Sequence, residues 1–202
     1  SDQRKWHLFF ADLKSDKTNI LMQDIGAGSH FATQTHKSVN TLFQQTRFHE
    51  KYGRILYACA QYFKPSLILE LGTGTGTASA FLHLGFPPAK IISVDAQGDL
   101  QNVVKQKFLA HFPECQIDFV TQHFHDFFQS DFIPQDRPVY LALLDGNHQK
   151  EATLSYFSFF KKNRHKDLIL ILDDIRWNND MFEAWQLITA DEAVSLSIDL
   201  FK

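Results

Sequence analysis

Between a short apolar run, Leu67-Ile68-Leu69, and a helix-forming stretch, Thr77-Ala78-Ser79-Ala80-Phe81-Leu82, the chain places glycine at three alternate positions, Gly72, Gly74 and Gly76. Such a stretch must run strand, sharp turn, helix, because glycine turns where a Cβ would obstruct and lets the backbone come close to a ligand. From Pro65 onward the same alternation repeats, the mark of a parallel sheet with crossover helices. Strands are predicted at 67–70, 90–94, 116–120, 139–144, 168–172 and 195–200, and helices at 77–84, 98–112, 124–130, 149–163 and 180–189. Pro87, Pro88, Pro113, Pro134 and Pro138 all fall in the predicted connections.

Ahead of Pro65 the periodicity is helical. Trp6, Phe9, Phe10 and Leu13 share one face of an opening helix over 4–14. Two further helical segments run between 38 and 63, the second carrying Tyr52, Ile55, Leu56, Cys59 and Phe63 on one face until Pro65 stops it. Gly26-Ala27-Gly28-Ser29-His30 breaks the pattern and reads as a loop, either a lid over a site or a plain connector. The expected organisation is one structural unit: a helical cap, residues 1–64, packed on an α/β domain, residues 65–202.

Bulk properties narrow the function classes. The 202 residues are 44% apolar and 21% charged, ordinary for a globular protein, with a net charge of -3 that argues against a nucleic-acid footprint. Cys59 and Cys115 stand alone without metal spacing, which points to a reducing compartment. With no secretory or membrane-spanning apolar run, the expectation is a cytoplasmic protein acting on a small molecule, with neither nucleic acid nor membrane as partner. Oligomeric state is not readable.

Chemistry gathers at the predicted strand ends. Asp95 ends the second strand of the alternation, where a carboxylate can accept hydrogen bonds from a ribose diol; the alternative is an Asp that only caps the next helix. A dinucleotide fingerprint would need glycine at the position of Thr77, so a nicotinamide cofactor is disfavoured. Asp145 follows the fourth strand, and Asp173 and Asp174 the fifth. Three carboxylates meeting there would repel one another unless a cation or protons intervene, and Mg2+ or another hard divalent ion is the natural neutraliser.

With an acidic residue before the first glycine, Glu70-Leu71-Gly72-Thr73-Gly74-Thr75-Gly76 resembles the first motif of class I S-adenosylmethionine-dependent methyltransferases. The resemblance implies a Rossmann-like sheet flanked by helices and a glycine loop under the methionine half of the cofactor. Cofactor contacts would come from Glu70, Gly72, Thr73, Gly74, Thr75, Gly76 and Asp95, with Gln122 and His123 at the adenine, unless those two belong only to a solvated loop. His49-Glu50-Lys51-Tyr52-Gly53-Arg54-Ile55-Leu56 resembles the segment these enzymes place before the first strand. The carboxylates resemble the catechol and caffeoyl-coenzyme-A O-methyltransferase group, whose metal ligands would map to Asp145, Asp173 and Asp174, though Asp173 and Asp174 could equally orient substrate directly or cap the following helix. That group usually has a lysine base three positions after the strand-four Asp. Here the position is His148, a residue type that preserves general-base chemistry, though Asp-Gly-Asn-His could also be only a turn. The similarity covers about residues 48–200.

The expected activity is methyl transfer to the hydroxyl of a small molecule, metal-assisted, with His148 and Asp145 as catalytic residues. A methyltransferase acting on protein, or a cofactor-binding module without catalysis, are the alternatives. Class I sheets usually close with a seventh, antiparallel strand. The predicted sixth strand ends near Lys202, so either the sheet is one strand short or, as an uncovered edge would favour, a further C-terminal piece is expected.

Overall fold

A computed structural model describes residues 2–22, 35–130, 132–133, 139–163 and 168–200. The 26–30 glycine stretch, Pro134 and Pro138 lie outside the described residues. In chain order the elements are α1 (Asp2–Ser15), β1 (Asn19–Met22), β2 (Thr35–Ser38), α2 (Val39–Thr46), α3 (Glu50–Phe63), β3 (Leu67–Leu71), α4 (Thr77–Gly85), β4 (Lys90–Asp95), α5 (Gly98–His111), β5 (Ile117–Thr121), α6 (Phe124–Gln129), β6 (Leu141–Leu144), α7 (Lys150–Asn163), β7 (Ile169–Leu172) and α8 (Asn179–Thr189).

The central sheet is parallel throughout, in the order β5-β4-β3-β6-β7. Chain direction across the sheet reverses between β3 and β6, and that switch point is where open α/β sheets bind ligands at their carboxyl ends. β3 is buried on both faces, as parallel strands between helix layers must be. Its side chains alternate: Ile68 joins the layer of Trp6, Phe9, Leu13, Leu42, Phe43, Leu56, Phe81 and Phe108, whereas Leu67, Leu69 and Leu71 join Phe127, Tyr156 and Phe160 on the other face. The N-terminal helices thus share a core with the sheet. α4 is buried at every position, and Gly53 of α3 makes room for it, since a Cβ there would lie 2.1 Å from the Phe81 ring.

Two differences from the sequence reading stand out. Residues 195–200 form no strand. The alternation that suggested one leaves Leu196, Ile198 and Leu200 78%, 67% and 52% exposed. Asp199 is drawn instead to the Arg176 guanidinium. The second difference is the β1–β2 antiparallel pair, four residues on each side, which links α1 to α2 and had not been expected.

Candidate active site

The sheet register aligns the tips of four strands. The Gly72 amide donates to Val94 O at 2.9 Å, the Asp145 amide to Leu71 O at 2.8 Å and the Asp173 amide to Leu144 O at 2.9 Å. Each of the residues Gly72, Asp95, Asp145 and Asp173 therefore leaves its strand at the same level. Above them opens a cavity of about 830 Å³, within the range of small-ligand sites. Gly72, Thr73, Gly74, Asp95, His123, Asp145, His148, Asp173 and Asp174 all line it. Glu70, Thr75, Gly76 and Gln122 do not.

The glycine loop is the cavity's floor. Gly72, Gly74 and Gly76 have φ of +104°, +48° and +74°, the left-handed region that side chains avoid. Asp95 braces the loop: Oδ2 accepts the Gly74 amide at 2.9 Å and Oδ1 the Gln97 amide at 2.9 Å. A carboxylate has about four acceptor positions, so Asp95 retains capacity for a diol. Thr77, which breaks the dinucleotide pattern, has its own task. Its hydroxyl accepts the Phe48 amide at 2.8 Å and ties the segment before α3 to the first turn of α4.

Glu70 lies beneath the loop, fully buried. Its Oε2 accepts from Ser79 and Ser93, and its Oε1 has no hydrogen-bond partner. While Glu70 is ionised it can only accept, so Ser93 commits its proton to Glu70 and Thr73 donates to Ser93, over 2.7 Å. Gln101 Nε2, which can only donate, then gives a proton to Thr73 Oγ1 at 3.1 Å. With the carboxylate ionised, the run from Gln101 of α5 to Glu70 of β3 has one direction. The expectation that Glu70 touches the cofactor gives way to a supporting position: it reaches the loop through Ser93 and Thr73, and α4 through Ser79.

Burial pushes the Glu70 carboxyl up to about 7, and the Asp95 charge adds to this against the opposing serine hydrogen bonds. A folded value above the unfolded one means that the folded state holds the proton more tightly. Glu70's contribution is therefore favourable below the unfolded value, and it is lost as pH rises toward 7. The loss is about 3 kcal/mol. Urea unfolding at pH 5 and pH 8 is expected to show this fall in the wild type relative to Glu70→Gln. Parallel pH profiles for the two proteins would disprove it.

His148 and the paired aspartates form the opposite wall. Asn147 and Asp174 both have positive φ, +51° and +52°, an uncommon state for residues with side chains and one that clusters at functional sites. His148 Nε2 lies 3.8 Å from Asp174 Oδ2, an ion-pair separation longer than a hydrogen bond. The His148 ring faces that of Trp177 at 6.0 Å with 32° between the planes. Asp173 Oδ1 accepts the Asp174 amide at 2.9 Å. Among the described residues no three His, Cys, Asp or Glu side chains are grouped so as to hold a metal ion, so the donors do not fit the three-carboxylate cation site.

Arg47, Phe48 and His49 also line the cavity, as do Gln97, Asn147 and Tyr156. His49 opens the segment singled out before the first strand of the alternation and Asn147 belongs to the Asp-Gly-Asn-His stretch, but Arg47, Phe48, Gln97 and Tyr156 belong to no motif in the sequence. The buried support was more legible: Ser79 and Ser93 interrupt otherwise apolar runs.

Residues 69–175, just over half of the chain, match the family described as a methyltransferase domain. The chain belongs to that family. Its fold is that of class I S-adenosylmethionine-dependent methyltransferases, with five parallel strands and helices on both faces. No curated protein sequence matches it significantly. Solved methyltransferases share the architecture at low identity. The O-methyltransferase TomG from Streptomyces achromogenes, solved with S-adenosylmethionine, has a TM-score of 0.63 at 12% identity, over 73% of this chain and 72% of that one. An O-methyltransferase from Bacillus cereus, solved with S-adenosylhomocysteine, gives 0.62 at 16% identity over the same shares. The methyltransferase PaMTH1 from Podospora anserina gives 0.58 at 14% identity, over 72% and 70%.

Proposed function

We propose that this methyltransferase uses S-adenosylmethionine to methylate an oxygen of a small hydroxylated molecule, with His148 as the base. One observation carries the reading: the glycine loop, Asp95, Asp145 and His148 open on a single cavity at the switch point of the sheet. The residues present fit the cofactor. At Gly74 the space a Cβ would occupy meets only Thr46 Oγ1, at 3.8 Å, so backbone is presented directly to a ligand. Asp95 would hold the ribose diol, His123 would lie toward the base, and the loop backbone would lie under the methionyl end.

The bound cofactor supplies a methyl group already activated on a sulfonium. The protein's part is to orient the acceptor, exclude water and remove one proton. His148 takes that proton, and Asp174 stabilises the imidazolium that results. Trp177, 68% exposed and beside His148, would cover an aromatic acceptor. The proposal contains no metal step, because the carboxylates do not form a ligand set. Residues 1–64 act in this reading as a cap on the 65–202 unit. The two free cysteines suit a cytoplasmic setting, and among the described residues no helix is long and apolar enough to cross a membrane.

Calorimetry with S-adenosylhomocysteine against NAD, followed by a screen of hydroxylated acceptors, tests the proposal. Binding of the first ligand alone, and turnover that survives EDTA, are the expected results. Preference for NAD would overturn the reading, and EDTA-sensitive turnover restored by Mg2+ would return the metal to it. Tight binding without turnover of any acceptor would leave a cofactor-binding module.

A further inference from the structure

The cavity is short of cations. Its described lining carries four aspartates, four histidines and one residue with a permanent positive charge, Arg47. Elsewhere cations are taken: Arg54 by Glu50, Arg176 by Asp199, Lys107 by Asp12 and Asp16, Lys150 by Glu183. Among the described residues the Arg47 side chain forms no ion pair. Its guanidinium lies 5.5 Å over the ring of Phe43, which is itself buried. Stacking of this kind holds the flat cation by its face and leaves its N–H edge for a second partner.

Arg47 is also fixed in place by its neighbours. Its amide closes α2 onto Phe43 O at 3.1 Å, and the next amide, that of Phe48, is bonded to Thr77 at the start of α4. Thr46, just before it, is the group a Cβ at Gly74 of the loop would meet, at 3.8 Å. The arginine therefore belongs to the glycine-loop end of the cavity. Two helices begin there as well, α3 after His49 and α4 at Thr77, and neither has a side-chain cap on its first amides. Uncapped helix starts favour an anion, so their fields add to that of the guanidinium.

We propose that Arg47 binds the α-carboxylate at the methionyl end of the cofactor. The assignment rests on the S-adenosylmethionine reading given above. The methionyl end carries a carboxylate, the glycine loop is where that end would lie, and Arg47 is the only unpaired permanent cation among the described residues lining the cavity. A planar guanidinium matches a carboxylate in a two-point pairing that a lysine cannot reproduce.

The experiment compares two ligands that share the nucleoside and the thioether. S-adenosylhomocysteine carries the amino-acid end; 5′-methylthioadenosine lacks it. By calorimetry, Arg47→Gln is expected to weaken the first about tenfold and to leave the second unchanged, with Arg47→Lys recovering part of the loss. A solely structural arginine at the end of α2 would instead alter the thermal midpoint and affect both ligands alike. Equal losses for the two ligands, or no loss for either, would overturn the assignment. If the wild type fails to bind S-adenosylhomocysteine, the cofactor reading falls and takes the arginine's role with it. If it binds and Arg47→Gln does not alter the affinity, only the arginine's role falls.

Discussion

Gly72→Ala is expected to remove about 4 kcal/mol or more of stability and, with it, cofactor binding. Two costs add at this position. The backbone is at φ +104°, a region that alanine rarely adopts. More important, the new Cβ would lie 1.9 Å from the carbonyl oxygen of Asp145. That obstacle is backbone, and it cannot rotate away as a side chain would. Both strand tips are also pinned, β3 by the Gly72 amide on Val94 O and β6 by the Asp145 amide on Leu71 O. Relief requires the two strands to part where the cavity begins. Gly74→Ala is the control: at φ +48° its Cβ meets only Thr46 Oγ1 at 3.8 Å, so it bears little more than the left-handed strain, about 1–2 kcal/mol. Urea unfolding of the two variants checks the contrast. Equal midpoints would show that the tips of β3 and β6 are not in the close register described.

The second large effect concerns chemistry. With an acceptor in hand, His148→Gln is expected to lower kcat by about 10²–10⁴, the usual contribution of a positioned general base, while S-adenosylhomocysteine affinity stays within about twofold. Glutamine keeps hydrogen-bonding capacity but cannot take a proton at neutral pH. The unchanged affinity separates lost chemistry from a collapsed cavity, since Asn147 and Asp174 hold strained backbone on either side of the imidazole. A decrease of less than about threefold would remove the base role from His148. Acceptor activation would then have to come from elsewhere in the cavity wall.

Sequence reading served best where local chemistry and topology coincide. Three alternate glycines between an apolar run and a helix can do little except turn, and the strand ends after Leu144 and Leu172 follow from the same rhythm. It served less well where distance along the chain says nothing of distance in space. Asp145, Asp173 and Asp174 do line one wall, but spacing could not reveal that Asp173 turns an oxygen back to its neighbour's amide. Glu70 belongs to the motif, yet the pleat of β3 sends its side chain down among Ser79 and Ser93, away from the cavity. Arg47 was invisible because its importance comes from what it faces. The alternation in residues 195–200 looks like a strand, but a strand needs a neighbour's amides, and none of the described residues supplies them.

The one-way run of hydrogen bonds from Gln101 through Thr73 and Ser93 to Glu70 has a consequence for how the loop reads its ligand. While Glu70 is ionised, Thr73's hydroxyl is engaged on both its donor and its acceptor side below the loop, so it has no proton to offer upward. Glycines flank it. What the cavity meets along this stretch is therefore main chain, a vocabulary of amides and carbonyls that is the same whatever residues write it. In the proposed cofactor reading, recognition at the floor would be a matter of contour, and discrimination between ligands would fall to the walls, lined by Arg47, His123, His148 and Trp177.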